Sequence, residues 1–110
     1  MTGITTHVLD TARGQGAVGV EVLLSKAAGD SWIEVGRDFT DSQGRIAGLA
    51  PKVEAGLFRL RFELNQYFES TATNAFYPYA EVVFRVEEPL EHYHVPLLLS
   101  PFGYSTYRGS

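Results

Sequence analysis

No cysteine occurs among the 110 residues, which excludes a disulfide scaffold and any thiolate metal centre. Basic side chains are also scarce, with nine Lys and Arg against thirteen Asp and Glu and a net charge of -4. They form no basic run, so neither nucleic acid nor an anionic membrane surface is an expected partner. No apolar run approaches the ~20 residues that span a bilayer. The opening MTGITTHVLD has no basic segment followed by an apolar stretch, so it does not read as a signal peptide, and a cytoplasmic location is expected. Repeats, low-complexity stretches and linkers are missing too. What is present is apolar material: 45% hydrophobic residues, with seven Phe and six Tyr. That suffices for one packed core, and one domain over residues 1–110 is expected.

The apolar residues follow a period of two. In GLFRLRFEL, Phe58, Leu60, Phe62 and Leu64 share a face opposite Arg59, Arg61 and Glu63, the pattern of a half-buried antiparallel strand. AEVVFRVE and VGVEVLL repeat it, and ITTHVLD, WIEVGRDF and HYHVPLLL read as further strands. The turn signals RGQG, KAAGD, DSQG and SPFG separate them. Short strands at this spacing predict an all-β, two-sheet antiparallel sandwich of about eight strands. NQYFESTATNAF breaks the alternation and predicts one short helix over Gln66 to Ala72, capped by Asn65.

Alternation also sorts the polar residues. Ile4, Thr6 and Val8 share one face of the first strand, with Thr5, His7 and Leu9 on the other. In HYHVPLLL, Tyr93, Val95, Leu97 and Leu99 form the apolar face, so His92, His94, Pro96 and Leu98 point away from the core. Pro96 cannot donate to a ladder and is expected at an edge or bulge. A face carrying His, Pro and Leu reads as a surface that meets a ligand or another subunit. His92 and His94 on one face, with His7 as a third imidazole, would suit a metal, but no carboxylate or thiolate completes the set and no metal is expected. No G-x-S-x-G elbow marks a nucleophilic serine. On spacing alone Arg45 is an exposed charge beside a turn, and the residues taken by themselves select no substrate.

Several segments together resemble the transthyretin-like family, and within it the 5-hydroxyisourate hydrolases. They are THVLDTARGQGAVGVEV, DSQGRIAGL, FYPYAEVVFRV and HYHVPLLLSPFGYSTYRGS, and they cover essentially the whole chain. The closing YRGS is the most specific piece, since it separates the hydrolases from the hormone-carrying transthyretins. The resemblance implies a homotetramer with sites between subunits. It implies His7, Arg45 and His94 as catalytic residues, and Ser105, Tyr107, Arg108, Gly109 and Ser110 as substrate-binding residues, with Ser105 and Tyr107 facing a channel. His92 is left out as a neighbour near the strand start. The implied reaction opens the six-membered ring of 5-hydroxyisourate by hydrolysis, with no cofactor and no metal.

That chemistry suits these residue types. A histidine takes a proton near neutrality. Arg45 presents a permanent charge in a planar fork that matches carbonyls and ring anions. Tyr107 packs on a flat heterocycle, and the Ser110 carboxylate orients a cationic neighbour. The alternative is a binding module that carries a small aromatic ligand without turnover.

Overall fold

The computed structural model describes residues 3–50, 53–88 and 91–109. The strands are, in chain order, β1 (Gly3–Asp10), β2 (Gln15–Gly16), β3 (Glu21–Ala28), β4 (Ser31–Phe39), β5 (Arg45–Ala50), β6 (Gly56–Glu63), β7 (Tyr79–Val86), β8 (His92–Ser100) and β9 (Gly103–Thr106). One helix, α1 (Asn65–Ser70), follows β6. Apart from the two-residue β2 there are eight strands, the expected number, although β5 lies outside the segments that read as strands. They form two sheets. In one, β8 lies between β1 and β9, while β2 and β5 pair with the opposite edge of β1; the other runs β4-β3-β6-β7.

Alternation puts one set of side chains from each sheet into a single core. Ile4, Val8, Leu97 and Leu99 from the first sheet meet Val22, Leu24, Leu60 and Phe62 from the second, all almost fully buried. At ~25 cal/mol per Å2 of apolar surface removed from water, each such side chain contributes about 1.5–3 kcal/mol. Every sheet pairing is antiparallel except β1 with β8, which run parallel in register from Gly3 opposite His92 to Asp10 opposite Leu99. This join brings the beginning of the described chain against its last third.

Two expectations are corrected. Asn65 does not cap α1: it is the helix's first residue, and buried Leu64, with no side-chain cap bond, precedes it. The core grip on Leu64 and on Tyr67 and Phe68 fixes the helix entry instead. The helix stops at Ser70, and Ala72 sits at φ 51°, in the left-handed region, rather than inside it. Pro96 is not at an edge, because β8 is an interior strand. Its missing N–H is accommodated on the β9 side. Leu97 opposes Thr106, and further along the Gly109 N–H donates to the His94 carbonyl at 2.8 Å. Pro96 therefore falls opposite Tyr107, where the strand pairing lapses between Thr106 and Gly109.

Among the described residues no helix is long and apolar enough to cross a membrane.

Candidate active site

The outer face of the first sheet gathers three strands of different origin. β1 presents Thr5 and His7, β5 opens with Arg45, and β8 presents His92 and His94. Register sets the neighbours: His7 is opposite Arg45, and Thr5 is opposite His94. Thr5, Thr6, Arg45, Ile46, Ala47, His92 and His94 line an open cavity of about 260 Å3. A larger cleft of about 680 Å3 lies elsewhere, but its ionisable lining residues are Lys26 and Glu54, paired with each other at 2.7 Å. The imidazoles make the smaller cavity the site of chemical interest.

Arg45 owes its position to the turn before it. The Asp41 carboxylate accepts hydrogen bonds from the backbone N–H groups of Gln43 and Arg45, both at 2.9 Å. These bonds, from Arg45 first and then Gln43, hold the Asp41 carboxyl below its usual range. Asp41 N–H donates back to the Arg45 carbonyl at 2.9 Å. Gly44 has φ +80°, and a Cβ there would run into the Val8 carbonyl oxygen. The DSQG sequence thus sets a tight turn against β1 and delivers Arg45 beside His7.

His7 Nε2 lies 2.9 Å from the Gln43 carbonyl oxygen. A carbonyl only accepts, so this nitrogen carries the proton. His94 Nδ1 lies 2.8 Å from the Thr5 hydroxyl, and His92 Nε2 lies 3.1 Å from the same oxygen. The rings of His92 and His94 stack with centroids 6.3 Å apart and planes 12° from parallel. Burial, then the charges of His92, His7 and Arg45, pull the His94 pKa below the ordinary histidine value. His94 is therefore the neutral form at neutral pH. No group of three metal-ligating side chains is disposed to hold an ion among the described residues.

The tail divides between the two faces. Gly109 packs flat on His94: a Cβ there would come within 2.6 Å of the ring's Cδ2. Ser105 shares the alternation parity of Gly109, whereas Tyr107, 54% exposed, lines with Thr106 and Arg108 a separate cavity of about 190 Å3 against Tyr93, Val95 and β7. Arg108 is anchored on that side. Its guanidinium sits 4.6 Å over the ring of inward-facing Tyr93 and bonds Glu91 at 2.8 Å. Within one chain it does not join the histidines. Ser110 lies outside the described residues.

Of the expected catalytic residues, His7, Arg45 and His94 come together on one face. His92 and Thr5, left out of the expected site, join them. The HYH alternation had already put His92 on the face of His94. Nothing in the sequence reported that Thr5 sits across from them, because that depends on the β1–β8 pairing.

The chain is similar to known proteins along nearly its whole length. A 5-hydroxyisourate hydrolase of Salmonella dublin is 45% identical over 109 residues, covering 97% of this chain and 80% of that protein. The structure of Klebsiella pneumoniae 5-hydroxyisourate hydrolase superposes with a TM-score of 0.87 at 36% identity, over the full length of both chains. Transthyretin from Sparus aurata superposes with a TM-score of 0.93 at 31% identity, covering 99% of this chain and 97% of that one. The HIUase/Transthyretin family model matches residues 4–109, and this chain belongs to that family.

Proposed function

We propose that the chain hydrolyses 5-hydroxyisourate, opening its six-membered ring to give 2-oxo-4-hydroxy-4-carboxy-5-ureidoimidazoline. The observation that carries this reading is the convergence of His7, Arg45 and a neutral His94 on one outer sheet face. The hydrolase relatives support it. Water adds to a ring carbonyl carbon while a histidine takes its proton. Negative charge then grows on the carbonyl oxygen, where Arg45 and a histidine N–H stabilise it. The carbon–nitrogen bond breaks, and the ring nitrogen takes the proton held by the histidine. Atoms balance with one water consumed and no change in oxidation state.

His7, Arg45 and His94 are the catalytic residues of this proposal. Ser105, Tyr107, Gly109 and Ser110 are its substrate-binding residues, the tail forming a wall beside His94 at Gly109. Arg108, engaged with Tyr93 and Glu91, acts from behind that wall. A cavity of about 260 Å3 is below the usual range of ligand sites, roughly 300–1,000 Å3. A homotetramer in which a second copy closes the open side would complete it.

The competing reading is a carrier. A transthyretin structure with thyroxine bound, 32% identical, has the same fold at a TM-score of 0.91. An arginine and two imidazoles lining one cavity, with a third imidazole opposite the arginine, suit a polar, reacting ligand better than an apolar passenger. The test is the ultraviolet absorbance of freshly generated 5-hydroxyisourate. Added protein should accelerate its decay catalytically. Stoichiometric binding with an unchanged decay rate would establish the carrier instead.

A further inference from the structure

We infer that Thr5 and His92 are a positioning pair that holds His94 with its proton on Nε2. His94 then donates a hydrogen bond into the site, and His7, through a bare Nδ1, takes the proton from water. The division of labour rests on the hydrolase reading; the tautomers do not.

The argument is a count of protons. A threonine hydroxyl has one hydrogen to give and accepts from others. Thr5, 8% exposed, has two imidazole nitrogens within hydrogen-bond distance, His94 Nδ1 at 2.8 Å and His92 Nε2 at 3.1 Å. Only one of them can receive the hydrogen. The choice is made at the far side of His92, where Nδ1 is buried and has no hydrogen-bond partner among the described residues. A buried N–H with no acceptor is the rarer and costlier orphan. The proton of His92 therefore sits on Nε2 and points at the Thr5 oxygen. Thr5 then has its own hydrogen free, and the remaining partner is His94 Nδ1.

If His94 also donated to Thr5, the buried hydroxyl would lose its acceptor. One arrangement satisfies both contacts of the Thr5 hydroxyl and leaves no buried N–H without an acceptor: His92 Nε2–H to Thr5, Thr5 O–H to His94 Nδ1, and the His94 proton on Nε2. This puts the His94 lone pair inside the chain of bonds and makes His94 a donor, suited to the oxygen on which charge develops. Burial keeps it neutral in that role, and His92 on its own strand, His7 on β1 and Arg45 on β5 add to the effect. His7 is the complement. Its Nε2–H is committed to the Gln43 carbonyl, so its Nδ1 keeps a lone pair. The water proton goes there, and from there to the departing ring nitrogen.

Long-range proton–nitrogen NMR on protein labelled at the histidine ring nitrogens reads each tautomer directly, near neutral pH and without substrate. The expected result is a proton on Nε2 in His7, His92 and His94. A bare Nε2 in His94 would overturn the inference with no mutation needed. Thr5→Val keeps the shape and removes the hydroxyl. His94 Nδ1 then loses its donor, so its nitrogen-15 resonance should move toward that of an unbonded lone pair, and kcat should fall roughly 10- to 100-fold with KM little changed; Thr5→Ser should restore both. An unchanged His94 Nδ1 resonance in Thr5→Val would remove Thr5 from the positioning role. If the parent protein shows the three tautomers but does not accelerate ring opening, the proton arrangement stands and the hydrolase reading fails.

Discussion

At the scale of single residues, Gly109 has the most specific demand on it. Its N–H pairs with the His94 carbonyl, and its missing side chain is the space the His94 ring occupies. Gly109→Ala would place a methyl 2.6 Å from the ring's Cδ2, well inside van der Waals contact. The ring belongs to a residue fixed in an interior strand, so it has to rotate away from Thr5. Turnover is expected to fall roughly 10- to 100-fold, while the thermal midpoint stays close to the parent's because the core is untouched. Parallel measurements of turnover and melting check this, and an unaltered rate would mean that His94 tolerates the displacement. The glycine of YRGS was legible only through the family resemblance. Composition and alternation say nothing about an aromatic ring lying against a backbone 15 residues away in sequence. The same limit hid Thr5. Alternation put it on the face of His7, but its two imidazole partners lie 87 and 89 residues further on.

At the scale of elements, the turn from Asp41 to Arg45 links folding to the site. It is held from within by the Asp41 carboxylate and from outside by β1, where Val8 N–H donates to the Gly44 carbonyl at 2.8 Å. Gly44→Ala would strain a left-handed backbone and push a methyl into the Val8 carbonyl. The fold should lose about 2–4 kcal/mol, read as a lower urea midpoint with an unchanged slope. A loss within ~0.5 kcal/mol would mean that the turn relaxes without disturbing β1. Such turns and the strands between them were readable because glycine, aspartate and the period of two act locally. The helix start was not. A polar Asn before an amphipathic stretch is a good local signal, but burial of Leu64 decided the entry. The edge reading of Pro96 failed for a similar reason: an interior strand can hold a proline where its ladder to one neighbour lapses, and sequence does not record that lapse.

At the scale of the whole molecule, the sandwich leaves apolar surface uncovered. Val83 is 55% exposed on β7, and Ile33 is 56% exposed on β4; both strands are edges of the second sheet. Unprotected edges with apolar side chains favour pairing with another chain. On the site face the argument is narrower than the sequence suggested, since Thr5 and Pro96 are already buried within one chain and only Leu9 and Leu98 stay half-exposed. Sedimentation at micromolar concentration is expected to give four chains of 12.2 kDa each. A clean monomer would remove both the assembly and a site shared between copies.

The parallel join of β1 to β8 also sets when the site comes into being. Thr5 leaves the ribosome 89 residues ahead of His94, a delay of roughly 5–20 s at ordinary elongation rates of about 5–20 residues/s. Within that interval β1 can pair with β2 and, once Arg45–Ala50 has emerged, with β5, so His7 meets Arg45 before β8 exists, but the other edge of β1 stays open. The nascent protein holds a base and a cation with no hydrogen-bonded imidazole pair beside them. Contacts this distant in sequence close late and slowly, so catalytic competence arrives in one step, after β8 has emerged. A chain interrupted before that strand would be inert however well its first hairpins had formed.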